Sequence, residues 1–531
     1  MKKTFSLICV TVFLAGLFAG CNGKNAGGNR FEGDKMVISV SNWDVSQSFG
    51  SKPDELYQYI QDRFGIVFEP HDVSWDNYGT LPLLWAQSGT LPDIIGGVDF
   101  VNLPTFMDWI DAGMIKALPD DFLAYPTLNN LMNQQFVQDR AVDGQNYFIP
   151  RISSPYPEYN VIARGIINRR DWREKLGIPV PQTEEDFLNM WRAFANPANN
   201  INGSVVFGVL PNDPAYLYDQ TFAGHGDTKG IWEIRPDGSV VIPALEPSSL
   251  PLMKFWRKAY KEGLVDPDFI TNSTHDVSMQ NFAQGRAGTL LRPIAPIHLY
   301  TLYQHWGIYN PNVDFLDSVE ILMPPRLSGI IPLFLMGAGF WSETYINANV
   351  DDEKLEKILQ FFDWLCSEEG INTVIFGFEG KDWERREGEI VMLTPIDPST
   401  GQHLTARDLY QFATGGMRIL TAWAEDLVQW TDPGIPIGIR NMSIGARDTM
   451  LDSDMGLTRI DNRIGILSLT VPEALRMTLN MDDEWASFIT DTSSISDEDL
   501  FVRFQSRWIA SGYDTAKEAM TREAAARGWT Y

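Results

Sequence analysis

Tryptophan is the residue type that first suggests chemistry here, with 17 in a chain of 531 residues. An indole ring can meet the C–H face of a pyranose, although most indoles in such a chain serve as apolar anchors in cores. Bond-breaking side chains leave no signature. There is no Gly-x-Ser-x-Gly elbow, Ser-x-x-Lys, His-Glu-x-x-His, Walker A loop or Gly-x-Gly-x-x-Gly. The six histidines, at 71, 225, 275, 298, 305 and 403, include no i,i+4 pair, and no Cys-x-x-Cys occurs. A zinc site built from such ligands is therefore not expected. The carboxylate pair of a glycosidase or lyase comes from distant strands, so the 69 acidic residues offer no way to name one. The pattern favours binding over catalysis.

The first residues read as an export leader. Lys2 and Lys3 precede an apolar run from Phe5 to Phe18, too short and too near the N-terminus for a membrane span. Ala19 and Gly20 then precede Cys21, which resembles a bacterial lipobox with Phe18 where leucine is usual. The alternative is an ordinary secretory signal with an incidental cysteine. Residues 22–34 are polar and glycine-rich and read as a flexible tether. With Cys9 in the leader and Cys21 as anchor, only Cys366 remains in the body, so no intramolecular disulfide framework is expected. Cys366 falls among apolar helical positions and reads as a buried, inert thiol. A net charge of −27 makes general nucleic-acid binding unexpected, because phosphate contacts need a basic surface.

Hydrophobic periodicity places the elements. Met36 to Val40 reads as a first strand, Asp54 to Phe64 as a helix and Ile66 to Glu69 as the next strand. A helix over Leu81 to Gln87 and a short buried strand ending at Ile94 and Ile95 follow. Thr183 with Asp186 reads as a capping box before the stripe Phe187, Met190, Trp191 and Phe194. Leu252, Phe255, Trp256 and Ala259 form a second stripe, and Leu355, Ile358, Leu359, Phe362 and Leu365 a third. Strands alternating with helices suggest α/β layers around largely parallel sheets.

Several segments, in order, resemble the large lipoproteins among the family 1 extracellular solute-binding proteins. They are LWAQSGTLPDII at 84–95, DGQNYFIP at 143–150, NRRDW at 168–172 with KLGIPVPQT at 175–183, YKEGLVDP at 260–267, and Glu369-Gly370 with FGFEGKDW at 376–383. The resemblance covers about residue 37 to residue 390. It implies an α/β, two-lobed periplasmic-binding-protein-like fold of type II, each lobe a sheet flanked by helices, with the ligand cleft between. The expected layout is a signal peptide at 1–20, a tether at 21–34, lobe 1 at 35–150 and 333–375, and lobe 2 at 151–332 and 376–531.

The resemblance also implies a function. The chain would be a monomeric, lipid-anchored binding protein at the outer face of the cytoplasmic membrane, capturing an oligosaccharide and delivering it to ABC transporter permease subunits. The alternatives are an exported glycosidase or lyase, and a sugar-sensing protein that feeds a receptor kinase. Some relatives carry a calcium-binding loop; the matching stretch here, Asn196 to Ser204, has no carboxylate, so no calcium is expected there. Ligand-binding candidates follow predicted strands, where α/β crevices open. They are Trp43, Asp44, Asp99, Arg151 at one crossover, Trp341 at the return, Glu379, Trp383 and Trp423. Tryptophans would stack on sugar faces, and Asp44, Asp99, Arg151 and Glu379 would hydrogen-bond hydroxyls or a carboxylate.

Overall fold

The computed structural model describes residues 29–531 apart from 102, 155–158, 160, 162–164, 200–205, 213–216, 218–231, 271–274, 326–332, 337–338, 399–401, 454–455, 460–461 and 531. Cys9, Cys21, most of the tether and Asn200 to Ser204 lie outside that set.

Two sheets organise the chain. The first contains β1 (Lys35–Trp43), β2 (Ile66–Val73), β3 (Ile94–Val98) and β4 (Ile149–Ile152), together with a later strand over Phe340–Ile346. β1 is central: β2 runs parallel to it from Met36↔Ile66 to Trp43↔Val73, and β3 joins it in parallel at Val40↔Ile94. The second sheet holds β5 (Gly165–Arg169), β6 (Phe207–Pro211), β7 (Ala287–Arg292) and β8 (Val319–Leu322), in the order β8-β5-β7-β6. The Phe340–Ile346 strand, β9, then returns to the first sheet between β3 and β4, antiparallel to both.

Buried alternation and caps explain the elements. The helix Glu55–Phe64 starts where Asp54 accepts a hydrogen bond from the Tyr57 N–H, and it stops at Gly65, whose φ of 65° is free of Cβ strain. Its buried stripe of Leu56, Tyr57, Ile60 and Phe64 covers the first sheet. Thr183 and Asp186 form the expected capping box at the start of Glu184–Ala195, and that helix lays Trp191 on Trp256 of the Leu250–Lys261 helix at 5.7 Å. These two indoles are core anchors of the second lobe. Cys366 is buried among apolar residues, which pushes its thiol up to about 12.

The Leu-Pro-Asp turn has a structural task. The Asp93 carboxylate accepts from the Ser39 N–H (2.9 Å) and Ser39 Oγ (3.0 Å), and it pairs with Lys354 at 3.1 Å. It thereby ties β1 to the turn before β3 and to the helix Asp352–Leu365. We expect Asp93→Ala to lower unfolding stability by about 3 kcal/mol, because it strands part-buried donors in a charge-assisted cluster. A fall in denaturant midpoint with unchanged m-value would register it; an unchanged midpoint would mean that the clamp is dispensable.

The lobe boundary differs from the sequence expectation after residue 375. Phe376, Trp383, Ile390, Tyr410, Phe412, Leu420 and Val428 belong to the first core, and the second lobe's cores resume at Ile435 and Ile439. The cause is aromatic packing: Phe412 stacks on Tyr57 at 5.6 Å, and Phe378 meets Tyr59 edge-on at 5.5 Å. No periodic stripe in this stretch announces those contacts. Among the described residues the chain therefore changes core after β4, before β9 and between Val428 and Ile435, with Ile466 and Leu469 reaching back to the first core. The helices Met481–Thr490, Asp497–Ala510 and Tyr513–Ala526 finish the second lobe.

Candidate functional site

The crossings define an edge of the first sheet. β1, β2 and β3 run parallel, so their C-terminal ends lie together, and antiparallel β9 begins at the same edge. In open α/β sheets this is where a crevice forms. In the second sheet, Arg292 at the end of β7 pairs with Gly165 at the start of β5, so the C-terminal ends of β6 and β7 lie where the chain enters from the first lobe.

Four indoles collect at the first edge. Trp43 ends β1, Trp75 follows β2 by two residues, Trp341 lies in β9, and Trp423 precedes the helix Ala424–Val428. Trp43 and Trp75 are stacked at 4.7 Å with an interplanar angle of 13°. Trp341 lies 5.9 Å from Trp43 and 5.3 Å from Trp423, and Tyr78 approaches Trp43 at 5.6 Å. Trp43 is sealed, whereas Trp75 and Trp341 keep 54% and 40% of their surface exposed, leaving indole surface open to a ligand.

Backbone features place Trp43, Trp341 and Trp423. Trp341 precedes Ser342, whose φ is 65°, and the pairing of β9 with β4 shifts register between Phe340 and Glu343. A bulge of this kind bends a strand and re-aims a side chain. Asp44, immediately after Trp43, is also left-handed at φ 47°. The Trp423 N–H donates to Ile152 O at 2.7 Å and its indole N–H to Trp341 O at 3.0 Å, which pins the loop to the crossover. The Asn42 amide donates to Gly416 O at 2.7 Å, and a Cβ at Gly416 would lie 2.1 Å from Trp43 O, so only glycine permits this approach.

Beneath the rings lies a buried charge cluster. The Arg151 guanidinium sits 4.6 Å from the centre of Trp43 and 5.4 Å from that of Trp423, and it donates to Asn42 Oδ1 at 3.2 Å and to Ser342 Oγ. Complete burial pushes it down to about 9, opposed by the negative fields of Glu343 and Asp99. A desolvated cation beneath an aromatic face contributes about 2 kcal/mol. Arg140, buried against Phe340 at 4.9 Å, is pushed down to about 10 in the same way. Glu343 Oε1 accepts from the Phe100 N–H (2.6 Å), the Val101 N–H (3.2 Å) and the Tyr345 hydroxyl (2.7 Å). Its Oε2 is buried without a partner, and burial raises the carboxyl to about 8.

The structure thus brings Trp43, Trp341, Trp423 and Arg151 together, with Asp44 exposed beside them. Asp99 lines an adjoining cavity of about 280 Å³ with Tyr78, Gly79, Phe100, Leu103 and Thr105. Arg151 is a support for the indoles and is itself fully covered. Glu379 and Trp383 lie elsewhere. Trp383 is in the first core, its indole N–H donating to Gly377 O at 2.8 Å, while Glu379 is exposed in the adjoining turn. The Glu-Gly motif is a scaffold, with Asp382 accepting from the Phe378 N–H (2.8 Å) and the Tyr410 hydroxyl (2.6 Å).

Trp75 and Tyr78 were missed from sequence because β2 extends to Val73 rather than ending at Glu69. Pro70 and polar His71 and Asp72 disguise its second half. Among the described residues β2 pairs with β1 alone, so as an edge strand it tolerates a residue with no N–H to give. Facing this edge, Arg292 lies buried among Asn212 and Ser278, at 3.3 and 3.4 Å. A larger cavity, about 690 Å³, lies away from this edge on the second lobe. Several of its charged residues are engaged in ion pairs, as in Arg257 with Asp497, Lys258 with Glu185 at 3.0 Å and Lys254 with Glu498. Among the described residues no cluster of His, Cys, Asp or Glu could hold a metal ion, and no helix is long and apolar enough to cross a membrane.

No family model matches the chain. It is 23% identical over 440 residues to the polygalacturonan/rhamnogalacturonan-binding protein YtcQ of Bacillus subtilis, covering 79% of this chain and 83% of that one. It is 27% identical over 297 residues to the fructooligosaccharide ABC transporter substrate-binding protein FusA of Streptococcus pneumoniae, covering 50% and 53%. Among solved structures it resembles FusA in complex with kestose, with a TM-score of 0.62 and 16% identity over 93% of this chain and 99% of that one. It also resembles the alginate-binding protein AlgQ2, with a TM-score of 0.60 and 17% identity over 92% and 97%. These likenesses establish the two-lobed solute-binding fold.

Proposed function

We propose that this chain, a solute-binding protein by its fold and its sequence relatives, captures an oligosaccharide between its lobes for an ABC-type importer. The observation that carries the reading is the set of stacked indoles at the sheet edge where the lobes meet, with Trp75 and Trp341 outermost. Flat, exposed apolar rings next to carboxylates suit a ligand with alternating C–H faces and hydroxyl rims. A ligand that touches both lobes only when they approach favours the closed form, and a permease can distinguish that form from the empty one. The relatives named above are binding components rather than hydrolases, which supports capture without turnover.

Thermal unfolding of the full-length chain in mild detergent, against a panel of oligosaccharides, tests the reading. A native-state ligand at a hundredfold excess over Kd adds about 2.7 kcal/mol, seen as a raised Tm. Intact sugar after the scan fits capture, whereas cleaved sugar replaces this reading with an enzyme. Anchoring through Cys21 belongs to the same proposal. Cys21→Ser should release the protein from the membrane fraction into the medium with sugar binding intact; retention would count against a lipid anchor.

A further inference from the structure

We propose that Ser342 is the positioning residue of the indole platform, a role that rests on the oligosaccharide reading and adds to its site a side chain sealed beneath the rings. Among the described residues, four that are not glycine adopt positive φ. Asp44, Asp143 and Glu387 are exposed, whereas Ser342, at φ 65°, keeps only 2% of its surface. Glycine adopts this conformation without Cβ strain, and a buried residue with a side chain persists in it only where its surroundings over-determine it. Part of the constraint is the bulge in β9. Phe340 pairs with Ile152 and Glu343 with Pro150, so β9 carries one residue more than β4 between those pairs. The extra residue takes Trp341 out of the regular pleat, to lie 5.3 Å from Trp423 and 5.9 Å from Trp43.

The rest of the constraint is the hydroxyl, which glycine could not supply. Ser342 Oγ donates to Trp341 O and accepts from the Arg151 guanidinium, as a group with one proton and two lone pairs can. Trp341 O also takes the indole N–H of Trp423 at 3.0 Å. Arg151 in turn donates to Asn42 Oδ1 at 3.2 Å and lies 4.6 Å from the centre of Trp43. One hydroxyl therefore links the ends of β1 and β4, the start of β9 and the loop before Ala424–Val428, and with them Trp43, Trp341 and Trp423. A carbonyl held by two donors fixes the peptide that carries Trp341, and the left-handed residue after it sets the direction in which the strand continues. Without the hydroxyl, Arg151 keeps Asn42 but loses its hold on β9. Trp341, with 40% of its surface exposed, then loses its fixed place in the stack. A sugar that packs on the ring must order it on binding, and that cost lowers affinity.

Two substitutions separate hydroxyl from backbone. Ser342→Ala removes the hydroxyl and keeps the Cβ, whereas Ser342→Gly removes the hydroxyl and relieves the left-handed φ, so Ser342→Gly should have the higher Tm of the two. Each is made in the full-length chain, alone and together with Trp341→Ala, and titrated calorimetrically with kestose and with oligogalacturonate. Near-UV circular dichroism is recorded without sugar. Both substitutions should weaken the sugar that the parent binds by roughly fivefold, about the worth of one net hydrogen bond. Combined with Trp341→Ala they should add no further loss, because the hydroxyl acts through that ring. The sugar-free spectrum of each should change in the bands that Trp341→Ala changes. Parent affinity in Ser342→Ala or Ser342→Gly, or an equal loss with and without the Trp341 ring, would overturn the role of Ser342 and leave the oligosaccharide reading intact. Where the parent binds neither sugar, that reading loses its support and the spectrum alone decides the positioning: a parent-like spectrum in Ser342→Ala overturns it, and a changed one upholds it.

Discussion

Trp75→Ala is expected to weaken oligosaccharide binding by roughly thirtyfold or more, about 2 kcal/mol, with little change in Tm. The two halves of that expectation have separate causes. Trp75 keeps 54% of its surface exposed and packs one face on Trp43, so its removal opens no sealed cavity. Its loss does take away an outer ring of the stack and leaves Trp43 open to water. Trp191 makes the contrast, because it is fully buried, stacks on Trp256 and donates to Thr289 Oγ1 at 3.0 Å. Trp191→Ala should cost about 3–5 kcal/mol of stability, while the protein that remains folded should bind sugar with its original Kd. Calorimetric titration and thermal unfolding on both variants would separate the two roles. Unchanged affinity in Trp75→Ala would remove these indoles from the binding surface and leave the ligand elsewhere in the crevice.

That contrast also shows where sequence reasoning succeeds and where it stops. Trp191 is legible because Phe187, Met190 and Phe194 share its helical stripe and Thr183 marks the start. Periodicity then identifies it as an anchor without any knowledge of the partner helix. Trp43 is legible as a site residue because it closely follows the β-rich run Met36 to Val40, although the strand itself continues through Trp43. Trp75 is hidden because the end of β2 depends on β1 accepting Pro70 at an edge, which is a pairing fact and not a local one. Trp383 misleads for the converse reason. It sits in a recognisable motif, yet the turn at Gly377 folds it inward, where Gly377 O takes its N–H. The packing of residues 376–428 on the first lobe is equally non-local, since Phe412 finds Tyr57 and Phe378 finds Tyr59 across more than three hundred positions. Glu343 gives no sequence signal either. A single acid in an apolar strand becomes notable only when the strand is seen to be buried on both sides.

Glu343 should make the protein less stable as pH rises from about 5 to about 8. Its carboxyl titrates near the ordinary 4.5 in the unfolded chain but is raised to about 8 by burial in the fold. Between those values the native state holds a proton that the unfolded state has released, so unfolding gains as protons become scarce. The loss begins above the unfolded value and levels off above about 8. Its upper limit is about 5 kcal/mol, taking ~1.4 kcal/mol for each pH unit. Asp426, which burial raises to about 7, acts with the same sign. The geometry supports the direction: Oε1 takes all three donors, and Oε2 lies buried with none, a place suited to the proton of the neutral acid. Glu343→Gln keeps an acceptor for Phe100, Val101 and Tyr345 while removing the titration. Its Tm should therefore match the parent near pH 5 and exceed it near pH 8, with Asp426 left to produce a shallower decline. A parent-like slope in Glu343→Gln would show that Glu343 is already ionised in the fold and balanced by Arg151 and Arg140. In that case the carboxylate and the two arginines form a charged support under the aromatic surface, and Arg151→Met would become the more damaging substitution.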